Sequence, residues 1–505
     1  MSSERSHRRL YRFSEWLTEG LIYFAVVFGP WAFGTTQAWS IQVMNGVGLA
    51  LGLLWLVKTG LRAGGGQALR WSTLSRPGGG EDRRAPERWP AAERGFTRLL
   101  AVGTICILLF CLVSAWNARA IYQPDQWHFA YRPAVPWLPH SYDQAASWAA
   151  FWKYLALAGL FWALRDWLLT LSPREVARVA QEGESALAGT RLPVRLRRLF
   201  WVLAANGTVL AIQGLMQRAE GGNQLLWLVE PGINKTADAQ FGAYAYRSNA
   251  AQYFNLLWPA VLGFWWAGVS SLRRRRTEGS STRQNRLAVL LPCVLIMAVC
   301  PLVSASRGGA IVLLGSLIMA GGILLLAQWR KSWRTKAGLL LGMGVVVGGG
   351  ALLGWQTLAP RMEMLHEGYA GREGLYLAGR YMAQDNAWFG TGPGTFATMY
   401  QLYRRAGTDE WLAFMHNDWL ETLITFGRLG TAPIFLTLLL VLAHWFRGGG
   451  IYGNKYFVML LWVALGGCLV HAAFDFPLQI HSVLTLFLVL CAVLSCLTRR
   501  EMNAG

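Results

Sequence analysis

The residues best suited to chemistry are His416-Asn417-Asp418-Trp419-Leu420, followed by Glu421 and, after six intervening residues, by Gly427. They stand where a long hydrophilic stretch meets an apolar run. A histidine in that position is most simply an interfacial residue. In a functional role, a neutral imidazole there accepts a proton from a sugar hydroxyl or bonds a phosphate oxygen. No cluster of His, Cys, Asp or Glu with metal-ligand spacing accompanies it, so no metal and no cofactor is expected.

Three arginines occupy comparable positions. Ser304-Ala305-Ser306-Arg307-Gly308-Gly309 is a very short turn between two apolar runs, with Arg307 at the start of the second. That arginine either snorkels to anchor the helix end or clamps an anion, helped by the amides of the helix N-terminus. Tyr246-Arg247-Ser248-Asn249-Ala250-Ala251-Gln252-Tyr253 repeats the arrangement at another run, and Arg372 lies in the long hydrophilic stretch. Each arginine alone is unremarkable. Three facing one cavity would suit a diphosphate, because guanidinium offers a fixed fork of donors. Gly390-Thr391-Gly392-Pro393-Gly394-Thr395-Phe396 lacks the preceding strand and the spacing of a nucleotide loop, so it reads as a structural turn. Asp475 and Pro477, with His471 and His481, fill the last such turn and read as a helix cap or pocket wall.

The elements that must position these residues are apolar helices. Runs long enough to cross a bilayer recur at 16–33, 41–57, 99–116, 148–168, 199–216, 251–269, 287–304, 309–327, 338–356, 419–446, 456–474 and 481–497. No alternating segments of a membrane barrel are visible. The expected fold is therefore an all-α polytopic bundle of about 12 transmembrane helices, divided into 1–356, a large loop 357–418, and 419–505. Within the loop, Arg372–Asp385 has helical spacing, with Leu375, Tyr376, Gly379 and Met382 on one side. The stretch 117–147 is rich in Trp and Pro and should lie at the membrane interface.

Composition agrees: 54% of residues are hydrophobic and only 15% charged, too few charges for a soluble chain of this size. The net charge of +20 does not point to nucleic acid. With the N-terminus placed in the cytoplasm, most of the 47 Lys and Arg fall in inward segments, among them Lys58–Arg98, Arg165–Arg198, Arg273–Arg286 and Arg330–Lys336. Both termini are then cytoplasmic and the 357–418 loop periplasmic. Segment 58–98 contains two Gly triplets and should be flexible, 173–198 should form a surface helix, and Arg273–Arg276 is a stop-transfer cluster. The seven cysteines lie in or beside apolar runs and read as packing residues, not disulfides or zinc ligands.

The set His416-Asn417-x-x-Leu420-x6-Gly427 resembles the signature of the bacterial O-antigen ligase and polymerase superfamily. Ser306-Arg307-Gly308-Gly309 is similar to its outer arginine motif. Tyr246–Trp258 is similar to an earlier Asn-rich motif, and Arg372 through the Gly390–Phe396 turn to the segment before the histidine. The resemblance implies a type C glycosyltransferase-like fold in the bacterial inner membrane, with a metal-independent periplasmic site. It implies a donor saccharide linked through diphosphate to a polyprenyl lipid. Arg307 and Arg247 would act on the diphosphate, with Arg372, Asn249, Asn417, Glu421 and Arg428 as further substrate-binding candidates, and His416 would orient or deprotonate the acceptor hydroxyl. The acceptor could be lipid A core, a second glycan or a protein, making the chain a ligase, a polymerase or an oligosaccharyltransferase. Members often carry Glu just before the glycine, where this chain has Thr425 and Phe426; Glu421 stands one turn earlier. Two readings from other classes are a twelve-span transporter or lipid flippase and a structural scaffold. The spans carry few central ionisable residues and show no two-fold repeat, which disfavours the transporter.

Overall fold

The computed structural model describes residues 2–63, 91–171, 175, 192–274, 287–329, 332–404, 412–444 and 455–501. The expectations for the Gly triplets, for most of the 173–198 surface helix and for half of the Arg273–Arg276 cluster fall outside those residues. In chain order the helices are α1 Ser2–Trp31, α2 Ala38–Ala63, α3 Ala91–Trp116, α4 Gln144–Leu169, α5 Val194–Glu220, α6 Arg247–Arg274 and α7 Leu290–Val303. They continue with α8 Arg307–Ala327, α9 Trp333–Glu363, α10 Leu365–Asp385, α11 Phe396–Tyr400, α12 Asp418–Ala443, α13 Lys455–His471 and α14 His481–Glu501.

Each predicted apolar run falls mainly within a helix. Among the described residues, six of these helices are long and apolar enough to cross a membrane: α2, α3, α5, α8, α9 and α12. Three shorter apolar helices correspond to α7, α13 and α14. The remaining runs, α1, α4 and α6, carry too much polar sequence. In α6, Ser248, Asn249, Gln252 and Asn255 are buried on the first turns, and Ser248 and Gln252 bond His471. The lipid-like exterior is evident in residues such as Leu341, Leu352, Leu436 and Ile318, all exposed and stable only in an apolar surround.

Two features were not predicted. The stretch 117–147 folds into an antiparallel hairpin, β1 Ala120–Gln123 against β2 His128–Tyr131, with Ala120 opposite Tyr131. Its tip residue Trp127 takes a left-handed conformation. The long hydrophilic stretch is also more helical than its sequence suggested. α9 runs on to Glu363, and α10 is a full 21 residues rather than one short segment. α10 buries Leu375, Ala378 and Met382 against Met415 and Ile424, the side its spacing had picked out.

At the end of the bundle opposite this stretch, helices are joined by buried ion pairs. Lys58 Nζ lies 3.0 Å from Glu15 and 3.6 Å from Asp166. Arg62 grips both oxygens of Asp166, at 2.8 and 2.6 Å, and Arg195 pairs with Glu15 at 2.5 Å. The sequence placed Lys58, Arg165 and Arg195 among loop charges beside the leaflet. All three are buried in the protein instead, because carboxylates on α1 and α4 meet Lys58 and Arg195 there and Arg165 bonds Thr97 and lies over aromatic rings.

Candidate active site

Gly427 explains how the histidine is presented. It breaks α12 with φ +60° and ψ −171°, a conformation that glycine adopts readily. A break inside an apolar helix orphans backbone groups that must find partners. The turn before α11 supplies them. Thr391 N donates to Ile424 O at 2.8 Å and Gly392 N to Thr425 O at 3.0 Å. In return Arg428 N donates to Ala387 O at 2.9 Å and Leu429 N to Trp388 O at 3.0 Å. A Cβ on Gly390 would sit 2.5 Å from Gly427 N, and one on Gly427 would sit 2.4 Å from Gly390 N. The Gly-rich turn is therefore structural, as its sequence implied, and it is what clamps the top of α12.

Above that clamp, Asn417 caps α12 by accepting from Leu420 N at 3.0 Å, which settles the helix start. Glu421 accepts from Met415 N at 2.8 Å and is buried. Between these two fixings His416 takes φ +53°, a costly conformation for a residue other than glycine. Tyr376 on α10 donates to His416 O at 3.1 Å.

The imidazole meets a residue from the last turn. His416 Nδ1 lies 3.1 Å from Asp475 Oδ1, and the ring packs edge-on against Phe476 at 4.7 Å. Burial pushes the Asp475 carboxyl up, but hydrogen bonds from His416 and Ser248 and the nearby His471 outweigh it and hold it down at about 2. A carboxylate accepts, so Nδ1 is the donor in this contact, and in the neutral imidazole Nε2 then holds the lone pair. Phe476 N also donates to Oδ1, at 3.0 Å. On the second oxygen, Ser248 donates and Tyr246 lies at 3.4 Å. Ser248 further joins His471 Nε2 at 3.1 Å, and Gln252 fixes the other nitrogen of that ring at 2.7 Å. Asp475, read from the sequence as a helix cap or pocket wall, thus links His416, Ser248 and Tyr246. The signal in its local sequence was a second histidine, His471, four residues earlier.

The arginines gather beside this pair. Ser306 caps α8 through Gly309 N at 3.1 Å and so sets Arg307 at the helix start. The two glycines after it leave room for His471, Phe474 and Ala251. Arg307 Nη1 donates to Met364 O at 2.9 Å and Arg361 O at 3.3 Å. Arg372 Nη1 donates to Phe474 O at 2.7 Å, one residue before Asp475. Arg247 Nη1 donates to Asp238 O at 2.9 Å. The charges interact: Arg247 feels Arg361 and Arg307, while Arg307 feels Arg372 and Arg361. Tyr246 lies under the influence of Asp475, Arg372 and Arg247 together, and burial and Asp475 push its hydroxyl pKa up.

The structure therefore brings together His416, Arg247, Arg307 and Arg372. Asn249 is buried close by, with its backbone N donating to Tyr246 O at 3.1 Å. Asn417 Oδ1 and Glu421 Oε2 are engaged in holding the loop. Arg428 is apart from the site: it lies over the Trp388 ring at 5.7 Å, ~15 Å along α12 from its start at 1.5 Å per residue. Sequence reasoning missed Asp475, Tyr246 and Ser248 as partners of the histidine, and Asp238 and Arg361 near the arginines. Among the described residues no group of three His, Cys, Asp or Glu is arranged to hold a metal ion.

Residues 292–435 match the family model described as O-antigen ligase. The match takes in Arg307, Arg372, the Gly390–Phe396 turn, His416 and Gly427. It begins after Arg247 and ends before Asp475. No curated protein matches the chain.

Proposed function

We propose, from the O-antigen ligase family domain that this chain carries at residues 292–435, that it transfers a saccharide from a polyprenyl-diphosphate lipid to an acceptor hydroxyl. The observation that carries this reading is the His416–Asp475 pair, 3.1 Å apart, standing beside Arg247, Arg307 and Arg372. In the reaction, Nε2 of His416 takes the proton of the acceptor hydroxyl, and Asp475 stabilises the imidazolium that results. The acceptor oxygen bonds to the anomeric carbon of the donor sugar as the bond from that carbon to the diphosphate oxygen breaks. Polyprenyl diphosphate leaves with the electron pair. The three guanidiniums neutralise the charge that develops on it, in a partly water-excluded site where such contacts are strong. Charge neutralisation by arginine takes the place of a divalent ion in this scheme.

The reading extends to the setting. The chain crosses the bacterial inner membrane about 12 times, in a type C glycosyltransferase-like bundle with both termini cytoplasmic and the site periplasmic. The buried cations at the opposite end and the basic sequence of the segments there support that orientation. Lipid A core is the preferred acceptor, since the histidine motif matches that of a ligase; a second glycan or a protein hydroxyl would make the same site a polymerase or an oligosaccharyltransferase.

The test is purified protein in lipid vesicles with a polyprenyl-diphosphate glycan and each acceptor class. Wild type should form a glycosylated acceptor and release polyprenyl diphosphate, and Arg307→Ala should lose about 10²-fold in rate or more. Movement of intact donor across the vesicle, with no transfer to any acceptor, would establish a flippase instead.

A further inference from the structure

The segment between α5 and α6 carries a single 3-10 turn, Ala237–Ala239, and cations hold it from several sides. Arg218 donates to Ala237 O at 2.8 Å and to Gln240 O at 2.6 Å. Arg247 donates to Asp238 O and lies 3.8 Å from its carboxylate. The same carboxylate is hydrogen-bonded by Arg361, from the last turn of α9. That last turn also supplies the carbonyls that Arg307 holds. Arg361 is therefore a neighbour of both Arg247 and Arg307, and each feels its charge.

The contacts of these guanidiniums differ in kind. Arg307 and Arg372 rest on neutral carbonyls. Arg361 and Arg247 share an anion, and that anion belongs to the protein. Burial alone would raise the Asp238 carboxyl, but a hydrogen bond from Thr236 and the two guanidiniums hold it below the usual range. One carboxylate against several clustered cations leaves the group short of negative charge. Asp238 is also 39% exposed and sits on a short turn, so its ion pairs contribute little to stability and are cheap to exchange.

We propose that Arg361 is a fourth diphosphate-binding residue, and that the Asp238 carboxylate occupies the place one phosphate of the donor takes, so that donor binding displaces Asp238 from Arg361 and Arg247. The inference rests on the diphosphate reading of this site. A diphosphate brings more charge than a carboxylate and can meet two guanidiniums with paired bonds. Asp238 acts as an internal competitor: it prevents the cations from repelling one another in the empty site and sets a threshold that weaker anions do not pass.

The experiment is a titration of the purified full-length protein with farnesyl diphosphate, and with farnesyl monophosphate in parallel. No acceptor is present, so transfer does not enter. Arg361→Met should weaken diphosphate binding about tenfold, with Arg361→Lys between it and wild type. Asp238→Asn should tighten binding on the order of threefold to tenfold and reduce the preference for diphosphate over monophosphate. Thermal unfolding of each variant without ligand shows that it is folded, and the Asp238→Asn gain cannot arise from misfolding. If folded Arg361→Met binds as wild type does, or if Asp238→Asn binds no more tightly, the exchange is wrong while the diphosphate site stands. If wild type does not bind farnesyl diphosphate at all, both fall together.

Discussion

At the scale of single residues the proposed chemistry rests on the Asp475 carboxylate beside Nδ1 of His416. Asp475→Asn keeps the shape but can present its amide to Nδ1, which would turn the proton toward Nε2. The expected result is a fall in kcat of about 10²-fold or more, with KM for the donor little changed, because the donor is held by the arginines. Stability should respond to acid in a defined sense. Asp475 titrates at about 2 against an ordinary 3.8, so its contribution is complete above the ordinary value and disappears as pH falls toward 2. That contribution is about 2 kcal/mol, and Asp475→Asn should flatten the acid limb of the unfolding curve in that window. His416, Arg247 and Arg307 were singled out in the sequence because each is a polar residue at the end of an apolar run, and Arg372 because it opens a stretch with helical spacing. The role of Asp475 was not legible, since it comes from a turn that meets His416 across 59 residues of chain.

At the scale of elements the decisive feature is the broken helix α12. Its missing hydrogen bonds are completed by the turn before α11, and the two segments meet glycine to glycine. Gly390 has φ +71°, and a Cβ there would lie 2.5 Å from the Thr425 carbonyl oxygen. Gly390→Ala should therefore destabilise the protein by about 2–4 kcal/mol, combining backbone strain with overpacking. It should also lower transfer by displacing His416. Unfolding midpoints in detergent, paired with transfer rates, check both effects. The sequence identified a structural turn here but not its partner. Gly427 was visible only as part of a motif, and the reciprocal backbone bonds that account for its spacing exist only once the turn is docked. The hairpin β1–β2 was missed for a related reason: four-residue strands in a Trp- and Pro-rich stretch leave too little alternation to detect.

At the scale of the whole molecule the two ends of the bundle are built differently. One end gathers cations beside the His416–Asp475 pair; the other neutralises its cations inside the protein. Lys58 is fully buried with Glu15 and Asp166 and joins α1, α2 and α4. Lys58→Met would leave those carboxylates with Arg62 and Arg195 alone and should cost about 3–5 kcal/mol, the usual penalty for breaking a buried pair. Donor binding by the protein that remains folded should be unaffected, since the site lies at the opposite end. The helical class and the positions of the apolar runs were readable from hydropathy. Which runs are long and apolar enough to cross, and which basic residues are paired inside, were not, because both depend on neighbours distant in sequence.

The central claim is that His416 activates the acceptor while the arginines hold the donor. The most direct measurement is single-turnover release of polyprenyl diphosphate from prebound donor on adding acceptor, comparing wild type with His416→Ala. The account predicts that His416→Ala binds donor as tightly as wild type and releases product about 10²- to 10⁴-fold more slowly. Release at the wild-type rate by that variant would contradict it.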